Sequence, residues 1–153
     1  MARLSGRQAV LYGTLVVGTL DALDAIVFFG LRSGAQPIRI FQGIAYGLIG
    51  PAARQGGLKT AALGVLLHYF IAFGIVVTYF LVSRRVRLLT RRPVVCGLLY
   101  GLIAYAVMNL LVLPLSKVGG PSLPAAPVLA NGLLIHMLGV GLPSALFARA
   151  ARP

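Results

Sequence analysis

The sequence predicts an all-α protein: a four-helix transmembrane bundle with a short amphipathic interfacial or re-entrant helix in its first outer loop. Three observations carry that prediction. Four apolar segments reach the roughly 20 residues that a helix needs to cross a bilayer. The chain is 59% apolar and 10% charged, whereas a soluble domain carries about 25% charged residues. The only two acids among 153 residues, Asp21 and Asp24, fall inside the first apolar segment.

The first span runs from about Ala9 to Leu31. The preceding MARLSGRQ resembles the start of a signal peptide. The apolar run is too long for a signal core, however, and the small-residue stretch holds both aspartates, so an uncleaved first span is expected. The second span runs from about Thr60 to Val82, the third from about Val94 to Leu115, and the fourth from about Val128 to Ala148. Pro114 and Pro143 lie near span ends and are expected to bend or end their helices. Between Pro37 and Pro51 the segment IRIFQGIAYGLIG is too short to span. Phe41, Ile44, Ala45 and Leu48 recur there at helical spacing, with Arg39, Gln42, Gly43 and Tyr46 opposite. That pattern predicts an interfacial helix over about residues 38–50, its apolar face in lipid. Gly43, Gly47 and Gly50 would equally suit a re-entrant hairpin. The whole chain reads as one integral-membrane domain, residues 1–153.

A net charge of +12 in a soluble protein would suggest nucleic acid. Here the basic residues sit between apolar spans, where they act as topology signals, and no nucleic-acid partner is implied. Arg84, Arg85, Arg87, Arg91 and Arg92 in the span 2–3 loop, with Arg3, Arg7, Arg149 and Arg152 in the tails, put nine basic residues on one side. Arg32, Arg39, Arg54, Lys59 and Lys117 put five on the other. The positive-inside rule then places both termini in the cytoplasm. The five loop arginines are also candidates for anionic lipid headgroups, worth about 1 kcal/mol per basic residue near the surface.

A carboxylate near the middle of a membrane helix costs about 2.5–3.5 kcal/mol even on lenient scales. Asp21 and Asp24, three residues apart, share one helical face. Counted from the outer ends of their spans, Asp21, His68 and His136 lie about nine residues deep and Asp24 and Asn109 about six. At 1.5 Å per residue they occupy one layer about 9–14 Å below the outer surface. Gly18, Gly64 and Gly132 each precede one of these polar residues by three or four positions. Small residues beside polar ones mark close helix–helix contacts in lipid.

Two main functional readings follow. In the first, Asp21, Asp24, His68, Asn109 and His136 form a buried proton or cation site for transport or relay. Asp21 is the carrier, Asp24 its partner, the histidines are ligands or relays, and Asn109 orients them. By ligand type, Asp21, Asp24, His68 and His136 would suit zinc, manganese or non-haem iron, although their spacing is no established metal motif. In the second reading the chain is a non-catalytic scaffold or assembly subunit, and these residues are interhelical glue at about 0.6 kcal/mol per contact. Bis-histidine haem held by His68 and His136 is a minor alternative, without a CxxCH motif. A pathway built from only four spans would suit a homo-oligomer. Gly97 and Gly101 form a GxxxG pair, weak evidence for dimerisation in so glycine-rich a chain. Cys96 stands alone, which excludes an intramolecular disulfide. No GxSxG, Walker, HExxH or GxGxxG match occurs, and the span serines lie away from the polar layer, so no residue is assigned as catalytic.

The segments GTLDALDAIVFFGLR, PIRIFQGIAYGLIG, LLHYFIAFG, the arginine loop with GLLYG, MNLLVLPLS and HMLGVGLP together resemble a family of small four-span bacterial inner-membrane proteins, loosely the YagU-type group. The resemblance covers most of the chain. It implies an inner-membrane location and supplies no activity and no site residue.

Overall fold

The computed structural model describes residues 4–120 and 124–151; Arg3 and Arg152, two of the topology signals, lie outside them. Four helices are long and apolar enough to cross a membrane: α1 (Gly6–Ser33), α3 (Gly57–Arg85), α5 (Pro93–Leu115) and α6 (Ala126–Ala150). Two shorter helices, α2 (Pro37–Ile49) and α4 (Leu88–Arg91), lie between them. The core of the single chain is small and built from small side chains. Leu66, Phe70, Leu110, Leu31 and many other large apolar residues remain exposed. A water-soluble monomer does not leave that much apolar surface uncovered. The fold is a multi-pass membrane protein whose solvent is lipid.

Each element ends where local chemistry predicts. Ser5 caps α1 by accepting from the Gln8 backbone N–H, while Gln8 Oε1 accepts from the Ser5 N–H. This reciprocal box satisfies two otherwise free donors. At the other end Gly34 adopts φ 67° and donates back to the Gly30 carbonyl, a left-handed stop suited to glycine. Proline opens both α2 and α5, where its missing N–H costs nothing. A 3₁₀ turn (Gly50–Arg54) joins α2 to α3, fixed by the Thr60 hydroxyl donating to the Ala53 carbonyl at 2.6 Å.

The four long helices alternate in direction. Both described chain ends and the α3–α5 connection therefore lie at one end of the bundle, hereafter the arginine end. There the Leu4 N–H donates to the Ala150 carbonyl at 3.3 Å. Tyr79 donates to the Leu89 carbonyl at 2.9 Å, and Tyr100 reaches across from α5 to the Ile75 carbonyl on α3 at 2.7 Å. Two apolar clusters fill the interior: Val17, Ala72, Val76 and Val140, then Tyr79, Ala145 and Ala148 nearer the arginine end.

Along the α5–α6 seam the two backbones approach closely. A Cβ on Gly101 would collide with the His136 carbonyl, and one on Gly141 with the Gly97 carbonyl. The GxxxG pair thus packs α5 onto α6 within one chain, with backbone in direct contact as small residues permit in lipid. Pro114 stands next to the last residue of α5, which ends at Leu115, while α6 continues past Pro143 to Ala150. Each proline is preceded by a widened π turn, Met108–Val112 in α5 and His136–Gly141 in α6. A proline cannot donate to the carbonyl four residues back and its ring crowds that group. The crowded carbonyls belong to Leu110 and Gly139, each inside its π turn.

Helix α2 departs from the expected orientation. It doubles back along the first turns of α3, and the Phe41 backbone fills the space left by the missing side chain of Gly64. Its buried residues are Gln42 and Ala45, while Leu48 is exposed. Gln42, placed by the sequence on the water-facing side, instead donates to the Gly57 carbonyl at 3.0 Å and to Thr60 Oγ1 at 3.3 Å. Its own oxygen accepts from Arg39 at 3.2 Å. Where lipid replaces water as surroundings, polar groups gain by turning toward protein and apolar ones lose nothing by facing out.

Candidate functional site

The polar residues in the middle of the bundle gather around α1. Gly18, Thr19, Asp21 and Asp24 follow one another along the part of that helix that meets α3 and α6. Gly18 is the pivot. Without a side chain it admits the Tyr69 ring of α3, whose edge would lie 2.6 Å from a Cβ placed there. The approach brings the Tyr69 and Thr19 hydroxyls within 2.9 Å and sets His68 Nε2 2.7 Å from the Gly18 carbonyl.

That last contact fixes the state of the imidazole. A carbonyl oxygen can only accept, so Nε2 carries a hydrogen. In neutral His68 the other nitrogen, Nδ1, is then a bare acceptor. It faces Asp21, with Nδ1 and Oδ2 4.0 Å apart. At that distance the two are too far apart to share a hydrogen bond, but a proton taken up on Nδ1 makes them an ion pair. Phe41 of α2 and the adjoining Tyr69 flank the His68 ring edge-on at 6.3 and 5.5 Å.

Asp24, one turn further along α1, accepts from Asn131 Nδ2 of α6 at 2.7 Å. Asn131 was not among the residues singled out from the sequence. It lies only a few residues inside the fourth apolar segment, a position that reads as the water interface. The signal available was its place on α6, about one and a half turns before His136.

The remaining predicted residues are held differently. Asn109 donates to the Tyr105 carbonyl of its own helix at 2.9 Å. His136 Nδ1 lies 3.0 Å from the Gly132 carbonyl, also on its own helix, and its ring meets Tyr105 edge-on at 5.2 Å. Both sit in the π turns described above. Asp21 and His136 are within electrostatic range of Asp24. The single layer expected from depth is therefore an Asp21–His68 pair and an Asp24–Asn131 pair on α1, with Asn109, Tyr105 and His136 on the α5–α6 side.

Two expectations need correction. No charged residue is fully buried among the described residues. Asp21 keeps 29% of its side chain open and His68 11%, so the pair is partly exposed and not sealed in a core. Nor does any group of three His, Cys, Asp or Glu side chains lie close enough to hold one metal ion among the described residues. The set Asp21, Asp24, His68 and His136 is divided between two helix contacts. The two imidazoles likewise point at different partners, Gly18 with Asp21 on one side and Gly132 with Tyr105 on the other. All five loop arginines are exposed, and the Asp21–His68 contact is the single acid–base approach within 4.0 Å among the described residues.

Compared with known protein families, curated proteins and solved structures, the chain matches none.

Proposed function

We propose that this chain is a small multi-pass protein of a bacterial inner membrane, with both termini cytoplasmic, whose Asp21–His68 pair binds and relays a proton. The observation that carries the proposal is the bond from His68 Nε2 to the Gly18 carbonyl, which leaves Nδ1 and the Asp21 carboxylate facing each other as two acceptors. A proton taken up on Nδ1 makes the two an ion pair, and Asp21 stays partly exposed. Intramembrane ionisable groups ordinarily mark proton or ion pathways. The orientation rests on the basic residues at the arginine end, and the bacterial location on the sequence resemblance. The loop residues Arg84, Arg85, Arg87, Arg91 and Arg92 lie where anionic headgroups would neutralise them.

A scaffold reading draws support from a different contact. The Asn131–Asp24 bond joins α6 to α1, which is what interhelical glue does. The two readings part at Asp21. Nitrogen-15 spectra of labelled protein, which has two histidines, report the tautomer of each ring directly. His68 is expected in the Nε2–H form when neutral. In vesicles enclosing a pH dye and held at an imposed potential, the wild type is expected to pass protons. Asp21→Asn and His68→Gln, still helical and monodisperse, are expected not to. An Nδ1–H tautomer at His68 refutes the geometric premise. Equal proton passage by wild type and Asp21→Asn leaves only the scaffold.

A further inference from the structure

A groove of about 500 Å³ opens on the lipid-facing side between α1 and α3, near the arginine end. Gly6, Val10, Leu11, Phe73, Val77, Phe80 and Leu81 line it, and Arg7 is its one charged residue. Its floor exists because Gly6 has no side chain, which lets the Phe80 ring lie over the α1 backbone: a Cβ there would come within 2.9 Å of Phe80 Cζ. From Phe73 to Leu81 the groove follows α3 for about 12 Å. Leu11, Phe73 and Leu81 are left open to the surroundings. One turn beyond Leu81 on the same helix stand Arg84 and Arg85. The groove is thus apolar along its length and cationic at the end where the headgroups would lie.

Among the described residues these charges have no acidic partner within 4 Å. The only acids, Asp21 and Asp24, lie about 20 Å or more along α1 from Arg7. We propose that this groove is a binding site for an anionic phospholipid. Its acyl chain lies along Val10, Phe73 and Val77, and Arg7, with Arg84 and Arg85, holds its phosphate. A zwitterionic lipid would offer the same chain but carry its own cation to the arginines. The site is independent of the proton pair, and rests only on the arginine end lying at a headgroup region.

The protein has no tryptophan, so a single introduced one reports on its own surroundings. Phe73→Trp places the reporter in the groove, and Leu110→Trp places one on the exposed face of α5. Each variant is reconstituted with lipids brominated in the acyl chain, either phosphatidylglycerol or phosphatidylcholine with identical chains. Comparing headgroups at one position cancels differences in depth. Phosphatidylglycerol should be preferred about fivefold at Phe73→Trp, the factor expected from roughly one effective basic contact. Leu110→Trp should show no preference. The preference should vanish when Arg7→Gln, Arg84→Gln and Arg85→Gln are combined and persist with the corresponding lysine substitutions, both in the Phe73→Trp background and both checked for helix content. Equal quenching by the two lipids at Phe73→Trp, the same preference at Leu110→Trp, or a preference that survives the combined Arg7→Gln, Arg84→Gln and Arg85→Gln variant would each overturn the assignment.

Discussion

Replacing Gly18 with alanine tests the geometry at its pivot. The new Cβ would lie 2.6 Å from Tyr69 Cε1 and 2.7 Å from Cδ1, whereas carbon atoms rest at about 3.5–4.0 Å. Either the ring or the helix must give by about 1 Å. The ring is not free to swing, because its hydroxyl is tied to Thr19 at 2.9 Å and its edge to His68. Overpacking of this kind costs about 1–3 kcal/mol, and the better helix propensity of alanine returns about 1 kcal/mol at most. A net loss of about 0.5–2 kcal/mol is expected, read as the midpoint of unfolding by a denaturing detergent in mixed micelles. A double-mutant cycle with Tyr69→Ala isolates the cause. With the ring gone, Gly18→Ala should become neutral or stabilising, giving a coupling of about 1–3 kcal/mol. Gly74→Ala serves as the control, since nothing lies within 4 Å of a Cβ there. If Gly18→Ala and Tyr69→Ala simply add, the close α1–α3 contact is not what positions His68.

Three further outcomes follow from the same contacts. Gly101→Ala, which drives a Cβ into the His136 carbonyl, should destabilise by more than Gly18→Ala, because backbone cannot rotate away; the same unfolding assay compares them. Asn131→Leu leaves Asp24 without its 2.7 Å donor and should cost about 1–3 kcal/mol, as for a charged group losing its hydrogen bond. Combining it with Asp24→Asn should recover part of that loss, measured by the same midpoint. Ser5→Ala removes the cap of α1 and should cost about 1 kcal/mol, seen as faster amide exchange confined to the first turn.

The spans were legible because membrane helices announce themselves by length and composition, without needing a periodic pattern. Observed helices extend the expected spans by up to about one turn at either end, where caps and flanking arginines continue them. The depth count worked for the same reason: rise per residue is constant, so Asp21 and His68 were correctly placed at one level. Depth says nothing about azimuth, however. Whether Asp24 would face Asn131 or His136 depends on helix rotation, and rotation in α5 and α6 is reset by their π turns. The α2 face was misjudged at Gln42 because the pattern was read as water on one side and lipid on the other. The third neighbour, α3, takes the polar side through Gly57 and Thr60.

The π turn of α6 can also be read as a length. A turn closed by an i to i+5 bond holds one residue more than an α turn over nearly the same rise. That surplus residue lets the His136 backbone meet Gly101 while Gly141, five positions on, still meets Gly97 one turn away on α5. In an unbroken α-helix the two contacts, five positions apart, would be rotated about 140° past a full turn and would not share a face. The bundle therefore carries, just ahead of Pro143, one residue more than an α-helix would place between these two contacts. Deleting one residue between His136 and Gly141 should return the segment to α-helix with the glycine seam still in register. The α5–α6 contact would survive, and the widened turn that now carries His136 would not.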